Sequence, residues 1–409
     1  MGNTSERRGA GVGTSAGAAD TIACATLAQR LLERLIAGEP WPREWLGELV
    51  EQNSPALFSV VAEGLSDRFE PRLVESYAEV FAAAIVAVRP ELRAEELVAR
   101  YGCVRRVRRL EGEPGTVFVL SRVTLGADVA ITSVILDAAK RRWPRARIAL
   151  AGPRKSWELF SADARIEHLE LSYGGGLRER MAVRPALSAP ESVVIDPDSR
   201  ITQLGLLPVC AEESYSLFES RGYGGEGAES LGELARRWTE ATLGIGDARP
   251  FLAPAERPEL PEGGIAVSFG VGGNAAKRVA DPFEARLVAA LARCGLPLIV
   301  DAGAGGDEAA RVERALEASG ARAAVWRGSF AGFASAIARS RLYVGYDSAG
   351  QHVAAACGVP LVAVLAGAPC PRFEQRWRPC GAGPVERVRA QDGDVLARAL
   401  EAVERLSAA

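Results

Sequence analysis

The feature that most constrains this chain is an alternation of short apolar runs with helix-period segments, and it occurs twice. TVFVLSRV (116–123) is a β-type run, followed by ITSVILDAAKRRWP (131–144) with helical spacing, then RIALAG (147–152) and SVVIDPDS (192–199). A Pro-rich stretch, Ala248 to Glu262, interrupts the series as a linker would. The alternation then restarts with GIAVSFG (264–270), LPLIVDAG (296–303), AAVWRG (323–328), LYVGYD (342–347) and VPLVAVLAG (359–367), each separated from the next by a helical pattern. Strand–helix–strand alternation builds parallel sheets covered by helices on both faces. The expected fold class is therefore α/β, with two doubly wound Rossmann-like domains, the second of four or five parallel strands. A ligand then belongs in the cleft between them, at strand C-termini.

Composition supports this and removes other classes. At 409 residues and 48% apolar, the chain can bury two or three cores and is too apolar for disorder. A net charge of -3 argues against a nucleic-acid binder that works by bulk charge. No apolar run approaches the roughly 18–20 residues of a membrane span; Val80 to Val88 reads as a buried helix. Residues 1–20, rich in Gly, Ala, Ser and Thr, read as a disordered tail without the layout of a secretory signal. Residues 21–112 read as a helical extension of unassigned role, with Leu27, Leu31, Leu32 and Leu35 at helical spacing. The domains follow at 113–250 and 263–409, joined by a linker at 251–262. Seven Cys without a CxxC pair point to reduced thiols and a cytoplasmic location. The spacing of Cys357, Cys370 and Cys380 matches no zinc pattern.

Three loops carry candidate chemistry. In 342–367 a strand ends at Asp347, and a helix begins within Ser348, Ala349, Gly350 and Gln351, next to His352, one of two His in the chain. Free N–H groups at a helix start bind phosphate; the same residues equally fit an ordinary βα turn capped by Asp347 or Ser348. GVGGNAAKR (270–278) brings Gly272, Gly273, Lys277 and Arg278 after a strand, in a spacing that is not a Walker A loop. Lys277 is notable because all but three of the 49 Lys and Arg are Arg. Asp307 and Glu308 open a helix, where an acid either caps it or hydrogen-bonds a ribose. His168, on a surface stretch, is expected to be structural.

Taken with their neighbours, these residues resemble a family. Asp347, Ser348, His352, Ala354, Ala355, Gly358 and Pro360 match the D-[ST]-G-P-x-H-x-A-A-x-x-G-x-P signature of glycosyltransferase family 9, the bacterial heptosyltransferases. Ala349 and Gly350 stand where that signature has Gly and Pro. Residues 121–150 resemble the family's opening strand, L-G-D loop and first helix, with one extra residue in Leu125-Gly126-Ala127-Asp128. Lys277-Arg278 matches its phosphate-contacting loop, where Val279 replaces Trp and Gly272 and Gly273 replace a hydroxylated pair.

The resemblance implies a GT-B fold and an inverting, metal-independent glycosyltransferase. It implies a nucleotide-sugar donor, ADP-heptose foremost, a glycan or glycolipid acceptor, no cofactor, and contact with the inner face of a membrane. Asp128 would be the general base; its other reading is a helix N-cap. Lys277, with the Ser348–Gln351 amides and His352, would take the charge of the leaving diphosphate. Asp347 would hold donor hydroxyls, and Glu308 or Asp307 the ribose. Asp196-Pro197-Asp198 has the letters of a metal-binding DxD but lies in the acceptor-side domain. Two alternatives stay open: a nucleotide-sugar epimerase or hydrolase, and a catalytically degenerate scaffold.

Overall fold

The computed structural model describes residues 13–171, 177–180, 187, 189–272, 274–303 and 305–408. The chain opens with helices α1 (Gly13–Ala37), α2 (Arg43–Glu51), α3 (Pro71–Val88) and α4 (Ala94–Val104), with a helical segment at Leu57–Ala62 and Glu63–Ser66 between α2 and α3. Residues 13–20, expected in a tail, are instead the first turns of α1. Their Ala content explains this, since Ala is the strongest helix former; residues 1–12 lie outside the described residues. Pro71 starts α3, where its fixed φ suits the first turn.

The first sheet contains β1 (Thr116–Leu120), β2 (Arg147–Gly152), β3 (Ile166–Glu170), β4 (Ser192–Asp196) and β5 (Tyr215–Leu217), all parallel, in the order β3-β2-β1-β4-β5. Successive side chains of a strand point to opposite faces, and β1 shows what each face meets. Val117 and Val119 join Val134, Ile135, Leu234 and Trp238 of helices α5 (Ser133–Arg142) and α6 (Leu231–Leu243). Phe118 and Leu120 join Leu57, Val61, Tyr77 and Phe81 of the N-terminal helices. The extension is thus the second helical layer that a doubly wound sheet requires.

The second sheet has six strands, not the four or five expected: β6 (Ile265–Ser268), β7 (Leu298–Asp301), β8 (Ala324–Trp326), β9 (Leu342–Tyr346), β10 (Leu361–Leu365) and β11 (Val385–Arg389). They are parallel in the order β11-β10-β9-β6-β7-β8. The additional strand β11 reads VERVR, an edge strand in which charge alternates with Val and most residues are only partly buried. Around the sheet lie α7 (Phe283–Leu291), α8 (Gly306–Ser319), α9 (Phe330–Ala338), α10 (Ala349–Ala356), α11 (Pro371–Arg376) and α12 (Val395–Ala408). One apolar cluster, including Val129, Ala130, Val353, Ala354 and Phe373, spans both domains. Arg376 of α11, almost wholly buried, donates to the carbonyls of Glu229 (2.8 Å) and Gly225 (2.9 Å) across the domain boundary. Among the described residues no helix is long and apolar enough to cross a membrane.

Candidate functional site

The site begins where β9 passes into α10. Ser348 precedes the helix but makes no capping hydrogen bond, so among the described residues its side chain leaves the first amides of α10 uncapped. Gly350 is demanded by packing: a Cβ there would collide with the Tyr343 hydroxyl. Asp347 accepts from the Lys277 ammonium at 3.0 Å and also from the Gln351 amide. Lys277 donates in addition to the Asp347 carbonyl (3.3 Å), and its Nζ lies 5.0 Å from the Phe373 ring centroid. The loop carrying Lys277 is fixed by the Asn274 side chain, which accepts from Ala276 N–H (3.1 Å), and by the Tyr346 hydroxyl, which accepts from Val279 N–H (3.2 Å).

Other expected donor-side residues divide. Gly272 takes φ of +60° with open space around it, while Gly273 lies outside the described residues. Arg278 turns toward Glu284, at 3.6 Å. Asp307 is exposed, whereas Glu308 fits between Gly270 and Gly303: a Cβ on either would stand 2.7 or 2.6 Å from its Oε1. The structure therefore brings together Lys277, Asp347 and the start of α10, with Glu308 beside the loops after β6 and β7.

Asp128 is different. Its side chain is wholly buried and accepts from the Ser121 hydroxyl (2.8 Å), the Arg122 N–H (2.7 Å) and the Thr132 hydroxyl (2.9 Å). Burial pushes its pKa up, and these donors pull it back. It ties the loop after β1 to the following helix and faces no solvent. The extra residue in this loop leads into a wide helical turn, Asp128–Thr132, the form in which a helix absorbs an insertion. Gly126 then occupies the domain interface: a Cβ on it would stand 3.2 Å from both the Ala349 Cα and the His352 ring. His352 is buried, its Nδ1 has no hydrogen-bond partner among the described residues, and desolvation lowers its pKa to about 4, so the imidazole is neutral. Its ring meets Trp377 edge-on at 5.8 Å.

Beyond Trp377 lies a cavity of about 100 Å³ that the sequence did not reveal, lined by Arg122, Asp198, Gln203, Arg221 and Trp377, and by Asp67 of the extension. Arg221 pairs with Asp198 at 3.0 Å and with Glu219 at 3.2 Å. Burial raises the Glu219 carboxyl to about 7. Phe69, Asp198, Gln203 and Leu204 line the cavity with positive φ, and Val123, between Arg122 and Thr124, has φ of 72°. Non-glycine residues rarely take this conformation, and such strain gathers at ligand sites.

Of the DxD letters, Asp196 is buried and accepts from the Tyr215 hydroxyl (2.5 Å) and the Ser199 N–H (2.6 Å), while Asp198 faces Arg221. Among the described residues no group of three His, Cys, Asp or Glu could hold a metal ion. His168 bonds the Gly152 carbonyl (3.0 Å) and stacks on Trp157.

No protein-family model matches this chain, and no curated protein matches it. Solved structures do. Heptosyltransferase WaaC of E. coli, solved with ADP, superposes with a TM-score of 0.54 at 17% identity, covering 71% of this chain and 99% of its own. ADP-heptose LPS heptosyltransferase II of E. coli gives 0.52 at 20% identity, covering 71% and 98%. The glycosyl transferase family 9 protein of Veillonella parvula gives 0.53 at 16% identity, covering 72% and 91%. The chain has their GT-B fold. Nearly the whole of each neighbour is matched, while more than a quarter of this chain is not. In GT-B terms the β1 loop belongs to the first domain and Lys277, Asp347 and α10 to the second, while the cavity is walled by the extension, the first domain and Trp377 of the second.

Proposed function

We propose that this chain is an inverting, metal-independent glycosyltransferase that moves a sugar from a nucleotide diphosphate donor, ADP-heptose foremost, to a hydroxyl of a glycan or glycolipid. The observation that carries this reading is the pairing of Lys277 with Asp347 at 3.0 Å beside an uncapped helix start, inside a GT-B fold. A diphosphate entering there meets the Lys277 ammonium and the α10 amides, a combination that stabilises the negative charge of a departing diphosphate. His352, buried and neutral, adds no positive charge of its own to this stabilisation. Asp347 is left to hold donor hydroxyls, and Glu308, beside Gly270 and Gly303, is the carboxylate assigned to the ribose.

The test is a thermal-shift and calorimetric screen of the full chain against ADP, UDP, GDP and dTDP and their sugar conjugates. A ligand that binds only the native state raises the midpoint. The expected result is stabilisation by ADP and ADP-heptose that disappears in Lys277→Ala. No shift with any nucleotide would overturn the reading. A catalytically degenerate binding protein is the second reading, and one observation favours it: Asp128, at the position of the family's base, is sealed from any acceptor.

A further inference from the structure

An inverting transfer needs a carboxylate within reach of the acceptor hydroxyl. Three carboxylates line the cavity between the extension and the first sheet: Glu63, Asp67 and Asp198. Glu63 pairs with Arg200 at 2.8 Å, and Asp198 is fully buried against Arg221. The Asp67 carboxylate makes no hydrogen bond or ion pair among the described residues. Resting on the glycosyltransferase reading, we infer that Asp67, carried by the N-terminal helices, is the base that deprotonates the acceptor, and that the cavity beneath it is the acceptor subsite.

The position of Asp67 is tied to the donor side through one aromatic ring. The Cys370 thiol donates to the Asp67 carbonyl (3.7 Å), and Phe69 packs on Phe373 with ring centroids 6.3 Å apart. Phe373 is the same ring that Lys277 approaches to 5.0 Å. The extension therefore holds Phe69, two residues after Asp67, against the ring that Lys277 also approaches.

The lining suits a saccharide. Trp377 supplies an aromatic face, and among the described residues three buried polar atoms of the lining have no hydrogen-bond partner: Asp198 Oδ1, Arg221 Nη1 and Trp377 Nε1. One acceptor and two donors without partners are costly unless a ligand satisfies them, and a polyhydroxylated ring offers both kinds of group. Burial, with Glu63 on its own segment, raises the Asp67 carboxyl to about 7. Lys277 from the loop after β6, Arg200 from beyond β4 and Arg122 from the loop after β1 pull the other way. A base with a pKa near neutrality is well matched to its task.

In the step, the acceptor O–H proton passes to Asp67 as its oxygen forms a bond to the anomeric carbon. The bond from that carbon to the diphosphate oxygen breaks, and its electron pair leaves with the nucleotide diphosphate. The Asp67 proton then returns to solvent.

The experiment compares full-length wild type, Asp67→Asn and Asp67→Glu. It measures ADP affinity by calorimetry and ADP release from ADP-heptose, with water as acceptor, across pH 5 to 9. Asp67→Asn should keep ADP affinity within about twofold while ADP release falls roughly 10²–10⁴-fold. The acid limb near pH 7 should vanish with it, and Asp67→Glu should restore part of the rate. Wild-type turnover in Asp67→Asn with intact ADP binding overturns this inference alone. So does a wild type that binds ADP-heptose and never releases ADP. A wild type that binds no nucleotide overturns the glycosyltransferase reading, and this inference falls with it.

Discussion

The ammonium of Lys277 lies 3.0 Å from the carboxylate of Asp347, although the two come from loops 70 residues apart. Both side chains are largely buried, so the pair is screened less than a surface ion pair. Without ligand Lys277 neutralises Asp347; with a diphosphate present it can serve the phosphate while Gln351 still donates to Asp347. Lys277→Ala should therefore lower ADP affinity by about 10- to 100-fold, in the range of a lost charge-assisted contact. Lys277→Arg should fall between, because a guanidinium fork does not reproduce a compact ammonium. Calorimetric titration with ADP at low and high salt checks both.

Asp128→Asn tests whether that carboxylate holds the fold or the proton. Its carboxylate oxygens accept from three donors in a fully buried turn. An amide would set an NH2 group against one of those donors, leaving buried groups unsatisfied at about 1–3 kcal/mol. The expected outcome is a lower denaturation midpoint, with any activity change following the loss of folded protein. An Asp128→Asn enzyme of unchanged stability and abolished turnover would return the base to Asp128.

Asp67 should leave a signature in stability as well as in rate. Its folded pKa, about 7, lies above its ordinary carboxylate value of 3.8. Between those values the native state holds a proton that the unfolded chain has lost, so stability falls as pH rises through this window. Asp67→Asn removes that dependence. The variant should melt above wild type at pH 8, and the difference should fade as pH falls from 7 toward 4. A residue selected only for stability would give the opposite sign, and melting curves at four or five pH values decide it.

Much of this architecture could be read from the chain, for a physical reason. Buried parallel strands are continuous apolar runs, so TVFVL and LVAVL announce themselves, whereas β11 is a half-exposed edge whose charges hide it. The loops after β6 and β9 were legible too, because a lone Lys after glycines and an Asp at a strand end stand out in the chain: Lys277, Asp347 and the start of α10 do meet. The acceptor side was not. Asp67 sits in SDRFEP, a stretch without motif, and its place depends on contacts across the whole molecule, from Cys370 and from Phe373 against Phe69. The burial of Asp128 was not legible either, because it depends on the Ser121, Arg122 and Thr132 donors that close around its carboxylate in the folded turn.

The extension gives a last prediction, since its helices do the work of a layer. Phe118, Leu120, Ala149, Ala151 and Val194 of the first sheet share one core with Leu57, Val61, Tyr77 and Phe81. Arg100 of α4 donates to the Gly205 carbonyl (3.0 Å), and Arg108 to those of Glu212 and Glu213 (both 2.8 Å). Deleting residues 1–112 would expose one entire face of a parallel sheet, a surface that apolar burial ordinarily stabilises by about 25 cal/mol per Å². The truncated chain should aggregate or bind a hydrophobic dye. Single losses inside that core, such as Phe81→Ala, should cost about 3–5 kcal/mol. A soluble, cooperatively melting 113–409 fragment would show that the extension is an appendage, and would separate its role at the cavity from any role in the fold.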